Sequence, residues 1–337
     1  MIEQTRREKP PPTPDRVTTP FGPRTAAEDI LDGLRLDGKR MIVTGGAAGI
    51  GAQTVRALAK AGADVTAAVR DPAAAQPLGQ AAKEQGWSGA VHAARLDLAD
   101  LGSVHAFADA WDGPLDALVA NAGIMALPAL HRTREGWEMQ LATNYLGHFA
   151  LTLGLRDALR AAGTSRVVVV SSGAHRGHPF DFADPQFEHT PYDPWVAYGR
   201  SKTADVLLAV GIARRWAGDG ITANALMPGW ITTGLARHLD LATLQAMGGA
   251  DADGNRIDQP FYKTPAQGAA TSVLLAASPL VGRVTGRYFE DNQEAPITPD
   301  GTGDGVAAHA LDPEQADRLW EYAVGRAFVA DLARPDR

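Results

Sequence analysis

The hydrophobic positions of this chain fall into short runs separated by longer amphipathic stretches. Arg40–Thr44, Asp64–Val69, Ala90–Leu96, Leu115–Val119, Arg166–Ser171 and Ile221–Met227 are mostly apolar, and Arg287–Glu290 adds a shorter run. Runs of this length without polar alternation are strands buried on both faces. Between them, helical spacing covers Ile50–Ala61, 73–85, Ser103–Trp111, Trp137–Ala162, Trp195–Ala217 and Ala266–Ala277. Strand and helix in alternation require right-handed crossovers, hence a parallel sheet with helices on both sides. The pattern predicts a doubly wound α/β fold around a seven-stranded parallel sheet.

The flanks read differently. Residues 1–35 are expected to form an arm, charged and rich in proline at Pro10, Pro11, Pro12 and Pro14. The arm ends in a short helix, Ala26 to Leu34, capped by Thr25 and docked through Ile30, Leu31 and Leu34. Residues 36–337 then form one catalytic domain, with a substrate loop at about 230–263 and a C-terminal helix at about 312–324. Asp312 stands at that helix's N-cap and Pro313 at its first position.

Composition removes several function classes. The chain has no cysteine, which excludes disulfides, thiolate metal sites, iron–sulfur clusters and a cysteine nucleophile. A net charge of -7 offers nucleic acid no basic footprint. No run approaches the roughly 20 apolar residues of a membrane span, and the first twenty residues lack a signal peptide's apolar centre. A cytoplasmic protein with a small-molecule substrate and no membrane partner is the expectation.

In a doubly wound sheet, ligands sit beyond the carboxyl ends of the strands. The chemically suggestive residues fall there. Thr44-Gly45-Gly46-Ala47-Ala48-Gly49-Ile50-Gly51 follows the first strand and opens a helix. Gly45 permits the tight turn, Gly49 the approach of a pyrophosphate, and Gly51 close packing of helix on strand. The helix N-terminus, reached through Ala48 and Ile50, offers its free N–H groups to phosphate. This is the Rossmann-type dinucleotide turn. At the end of the second strand Val69 stands where an acid would hold the ribose of NAD, and Arg70 follows it. An acid missing and a base present favour NADP(H) over NAD(H). Asp97, with Leu98 beside it, ends the third strand and is a candidate partner for the adenine.

Tyr198 and Lys202 are four residues apart on a predicted helix and share a face. A neighbouring ammonium stabilises phenolate, so such a tyrosine can pass a proton to or from a reacting oxygen. Ser172, or its neighbour Ser171, ends the fifth strand, where a hydroxyl could polarise that oxygen. Asn144, inside a packed helix, is either an ordinary buried amide or the holder of a water that relays protons to Lys202.

These residues together resemble the short-chain dehydrogenase/reductase family. The likeness covers roughly Leu36 to Val324 and rests on T-G-x-x-x-G-x-G at Thr44–Gly51, N-A-G at Asn121–Gly123, Asn144, Ser172, Y-x-x-x-K at Tyr198–Lys202, and Pro228-Gly229 followed by Thr232. It implies a catalytic tetrad of Asn144, Ser172, Tyr198 and Lys202. It also implies that Asn121, Ala122 and Gly123 support the sheet and cofactor, with Pro228, Gly229, Ile231 and either Thr232 or Thr233 on the nicotinamide side. N-Y-L-G-H-F at Asn144–Phe149, S-S-x-A-H at Ser171–His175 and A-Y-x-x-S-K at Ala197–Lys202 look like the retinol dehydrogenase and WW-domain oxidoreductase branch. That branch favours Ser172 over Ser171 and supports NADP. The arm and Glu290–Ala295 are also similar to a group of bacterial oxidoreductases. Relatives pair through the helices that hold Asn144 and Tyr198, which makes a homodimer or homotetramer the oligomer to expect, although the branch includes monomers.

Three loops should carry the substrate: Ile124–His131, Gly173–Val196, and Trp230 to about Lys263. Phe180, Phe182, Phe187, Tyr192 and Trp195 in the second predict an apolar, aromatic-lined pocket, with His175, Trp195 and Trp230 as substrate contacts. The histidines lack ligand spacing, so no metal is expected. Asp251–Asn255 resembles a calcium loop only loosely and reads as a polar turn. The expected activity is NADP(H)-dependent hydride transfer between nicotinamide and a carbonyl/alcohol pair, in the manner of a carbonyl reductase or alcohol dehydrogenase. Two alternatives are a catalytically silent NADP-binding regulator and a sugar-nucleotide epimerase or dehydratase on the same fold. The complete tetrad argues against the first, and the glycine spacing against the second.

Overall fold

The computed structural model describes residues 16–231, 241–246, 249–255, 257, 259–298 and 303–327. In chain order the elements are α1 (Ala27–Ile30), β1 (Arg40–Thr44), α2 (Gly49–Lys60), β2 (Asp64–Val69), α3 (Gln76–Glu84), β3 (Val91–Arg95), α4 (Leu101–Asp109) and β4 (Ala117–Ala120). There follow α5 (Met139–Leu141), α6 (Gly147–Gly154), α7 (Arg156–Ala161), β5 (Ser165–Val170), α8 (Pro194–Trp216), β6 (Ile221–Met227), α9 (Leu241–Ala246), α10 (Pro265–Gly268) and α11 (Ala270–Ala277). The last are β7 (Tyr288–Glu290), β8 (Gln293–Glu294), β9 (Ile297–Thr298), β10 (Val306–Ala307) and α12 (Pro313–Ala327).

The main sheet has the order β3-β2-β1-β4-β5-β6-β7-β8. The seven expected strands run parallel, from β3 through β7. The eighth is a correction to the expected seven. β8 pairs antiparallel to β7 across a turn whose residues, Asp291 and Asn292, both have positive φ. That is the geometry of a tight two-residue hairpin. The central strands owe their position to residues buried on both faces: Met41 and Val43 pack with α2 and α11, and Ile42 packs on the side of α4, α6 and α8. β3 departs from this pattern because it is the sheet edge, and His92, Ala93 and Arg95 are exposed.

The opposite edge is covered by the arm. Val17 accepts from the Glu294 amide at 3.0 Å and donates to the Glu294 carboxylate at 2.9 Å, and the Thr19 amide donates to Gln293 at 2.8 Å. An edge closed in this way cannot template pairing with another chain. The helix after it is four residues long, not nine, because Asp29 rather than Thr25 caps it: its carboxylate accepts from the Ala26 amide, while the Thr25 hydroxyl accepts from Gly22.

The long helix expected over Trp137–Ala162 is broken. A π turn at Ala142–Leu146 joins α5 to α6, and α7 begins afresh at Arg156. π turns inside helices are rare and concentrate at functional sites; this one holds Asn144. Helix α8 starts cleanly because Asp193 accepts from the Trp195 and Val196 amides and Pro194 occupies the first helical position. Its outer face is covered by α12, where Trp320 packs edge-on to Phe149 and Trp216. No helix among the described residues is long and apolar enough to cross a membrane.

Candidate active site

The chain leaves β1 and later returns beside it as β4, so the sheet switches direction between these two strands. The carboxyl ends of β1 to β4 open onto a cleft of about 710 Å³, and those of β5 and β6 onto a cavity of about 400 Å³. Ile50, Asn121, Gly123 and Ile124 line both, which makes them one groove.

Gly45, Ala48, Gly49, Ile50 and Gly51 form the floor of the larger cleft. Gly45 has φ +66, and a Cβ at Gly51 would lie 2.4 Å from the Gly45 carbonyl oxygen. The turn can therefore press its backbone against α2, whose first N–H groups have no helical partners. Asn121 locks the turn to β4, donating from Nδ2 to the Thr44 carbonyl at 2.8 Å. Ala122, Gly123, Leu98 and Asp97 continue the wall, and Asp97 accepts from the Ala99 amide, which orients it. Arg70 stands exposed at the end of β2. Its acidic neighbour Asp71 caps the turn that follows by accepting from Ala73. A glycine floor that side chains would fill, a helix N-terminus and a basic rim fit a dinucleotide.

The smaller cavity gathers Ser172, Tyr198, Lys202, Pro228, Gly229, Ile231, Trp195 and Trp230. Thr232 and Thr233 lie outside the described residues. The Lys202 ammonium is 5.9 Å from the centre of the Tyr198 ring and donates to the Val170 carbonyl at 3.0 Å. The two serines now separate. Ser171 donates its hydroxyl proton to the Lys202 carbonyl at 2.7 Å, which fixes α8 to β5. Ser172 accepts from the Ala174 amide, which leaves its proton for a ligand in the cavity.

Asn144 does not show an amide waiting for water. Its Oδ1 accepts from the Ile124 amide at 2.8 Å, and its Nδ2 donates to the Ile124 carbonyl and to Ser201. It holds the loop after β4 against α8. Its backbone carbonyl, within the π turn, accepts from His148 Nδ1 at 2.8 Å. With that tautomer, His148 Nε2 accepts from the Thr44 hydroxyl at 2.8 Å, and Thr44 in turn accepts from the Asn121 and Ala122 amides. A buried chain thus links the Asn144 turn to the dinucleotide turn. Burial pushes the His148 imidazole down to about 4, so it stays neutral.

Several expected contacts lie elsewhere. His175 is fully buried, donates to the Ser172 carbonyl at 2.6 Å and accepts from the Ala307 amide at 3.1 Å. Neither nitrogen is left for substrate, so His175 is a framework residue. Phe180 and Phe182 pack on each other, Phe180 also on Tyr322, and Phe187 on Tyr192. Of that aromatic set only Trp195 lines the cavity. The loop lies under α12, which removes its rings from the groove. Met125, Met227, Leu244 and Tyr262 supply apolar wall instead. Asp251 accepts from Asp253 and Asn255 in a polar turn. Sequence reasoning missed His148 and Asp205, although each lies one helical turn from a residue it had singled out, Asn144 and Lys202.

A family model described as short chain dehydrogenase matches residues 39–243. The chain is 68% identical over 291 residues to a Streptomyces lividans protein named as an oxidoreductase, covering 86% of this chain and 97% of that one. It is 37% identical over 304 residues to human retinol dehydrogenase 14, covering 86% of each. Among solved structures, a Burkholderia cenocepacia gluconate 5-dehydrogenase in complex with NADP and tartrate superposes with a TM-score of 0.59 at 27% identity, covering 78% of this chain and 97% of that one. The chain is an oxidoreductase of the short-chain dehydrogenase/reductase family, with retinol dehydrogenases among its relatives.

Proposed function

We propose that the protein transfers hydride between NADP(H) and the carbonyl or alcohol carbon of a fairly apolar small molecule, with Tyr198 as acid/base. The observation that carries this reading is the convergence of Tyr198, Lys202 and the free Ser172 hydroxyl on one cavity continuous with a dinucleotide-shaped cleft. Bound nicotinamide supplies or takes up the hydride. The protein's own residues handle the proton. Tyr198 passes it to the carbonyl oxygen in reduction and removes it from the hydroxyl in oxidation. Ser172 donates a hydrogen bond to the same oxygen, and Lys202 stabilises the phenolate form of Tyr198.

Arg70 supports NADP over NAD: it lines the cleft where Val69 supplies no carboxylate and Asp71 is engaged by its own turn. The gluconate 5-dehydrogenase named above was crystallised with NADP, which agrees with this preference. Trp195, Trp230, Met125 and Met227 support an apolar substrate, as does the likeness to a retinol dehydrogenase. The test is turnover of a panel of aldehydes and ketones with NADPH. Tyr198→Phe should lower kcat/KM by roughly 10²–10⁴-fold with NADPH still bound. Turnover at the wild-type rate by Tyr198→Phe refutes the assignment.

A further inference from the structure

Lys202 is not alone in its pocket. Asp205, one turn along α8, accepts from its ammonium at 2.8 Å, and the two side chains are 5% and 1% exposed. The ammonium also donates to the neutral Val170 carbonyl, so Asp205 is the anion against which the charge of Lys202 is balanced. The pair is poorly suited to being structural glue. Taking two charges out of water costs several kcal/mol per ion, and apolar replacements of such pairs are often neutral or stabilising. Asp205 is also incompletely satisfied: its Oδ1 is buried with no hydrogen-bond partner. Burial pushes the Asp205 carboxyl up and Lys202 draws it back, while Lys202, disfavoured by burial, is held protonated by Asp205 and Tyr198.

The titratable groups around the pair come from three places. On α8 itself is Tyr198. On the π turn is Tyr145, whose phenol is pushed well up by burial and then by Asp205. On α6 is His148, which stays neutral. Lys202 is therefore the only fixed cation among these neighbours that sits between Asp205 and the Tyr198 ring.

We propose that Asp205 is a positioning residue for the acid/base pair: it holds the Lys202 ammonium by one of its donors and offsets part of that charge as felt at the Tyr198 phenol. The sign follows. With Asp205 ionised, less positive potential reaches Tyr198 and the phenol is retained. With the charge removed, phenolate is favoured and forms at lower pH. The inference rests on Tyr198 being the acid/base group, yet its test needs no substrate.

The experiment titrates Tyr198 by the tyrosinate absorbance difference between the wild type and Tyr198→Phe, then repeats it in Asp205→Asn, which keeps an acceptor for Lys202 but no charge. The Tyr198 midpoint should fall by about one pH unit. In a Lys202→Met background the Asp205→Asn change should leave it unmoved, because an unpaired buried carboxyl is neutral already. Should Asp205→Asn not fold, Asp205→Ser, with room for a water on the ammonium, carries the same titration. An unshifted midpoint in the Lys202 enzyme, or an equal shift in the Lys202→Met background, overturns the proposal. Absence of turnover on every carbonyl tested would sink the proposed function and leave this titration untouched.

Discussion

A single methyl group at Gly51 tests the dinucleotide turn most directly. In Gly51→Ala the new Cβ would stand 2.4 Å from the Gly45 carbonyl oxygen and 2.6 Å from Asn121 Nδ2. A carbon and a carbonyl oxygen are comfortable at about 3.3 Å, so the turn must retreat by roughly 0.9 Å. Overpacking of this kind costs about 1–3 kcal/mol. The Asn121 amide must also move, straining its 2.8 Å bond to the Thr44 carbonyl, which is worth about 1 kcal/mol net. Together these predict a loss of about 2–4 kcal/mol and, for a chain of 337 residues, a Tm lower by roughly 3–6 °C. The retreat carries the amides at the start of α2 with it, so NADPH should bind at least about tenfold more weakly, equivalent to about 1.4 kcal/mol. Gly218→Ala is the control, because nothing lies within 4 Å of the added methyl. Thermal unfolding without cofactor and fluorescence titration with NADPH read the two effects separately. A Gly51→Ala variant with wild-type Tm and wild-type affinity would mean that the turn is not packed as described.

Other consequences follow from single contacts. Arg70→Glu should weaken NADPH by about tenfold or more while NADH changes little, so the ratio of the two Kd values is the measurement; an unchanged ratio removes Arg70 from the 2′-phosphate. His148→Gln should destabilise the protein at pH 8 by breaking the chain from Asn144 to Thr44, but less so in acid. Its folded value is held near 4, below the unfolded 6.5, so the stability it confers is present above pH 6.5 and lost as pH falls toward 4. The Tm gap between His148→Gln and wild type should therefore narrow across that window, and a constant gap counts against a buried neutral imidazole. Trp320→Ala removes the ring that contacts Phe149 and Trp216 and lies under the Arg215 guanidinium at 4.6 Å, and should cost about 2–4 kcal/mol in urea unfolding. A loss under about 0.5 kcal/mol would show that α12 is not anchored there.

What could be read in the chain before its structure was known divides along a physical line. Strands such as Arg40–Thr44 and Ser165–Val170 are buried on both faces, and that condition writes itself into composition. Residues at the carboxyl ends of strands were legible for the same reason, since connectivity alone assigns them to one edge of the sheet. Gly45, Asn121, Ser172 and Tyr198 reach one groove because the topology delivers them there. Depth is what linear order does not carry. His175 and Phe180 sit in a loop at the correct edge, yet α12 and β10, more than a hundred residues later, close over that loop and turn it inward. Nor does helical spacing reveal a π turn, because one extra residue leaves the apolar stripe almost unchanged. Within that turn the Asn144 carbonyl meets His148, while its side chain ties the loop at Ile124 to Ser201. Asp205 belongs to a third case. An acid on the apolar face of α8, three residues after Lys202, contradicts its surroundings, and a buried charge of that kind persists where something nearby requires it. The contradiction was visible in the sequence, and the structure supplies its partner at 2.8 Å.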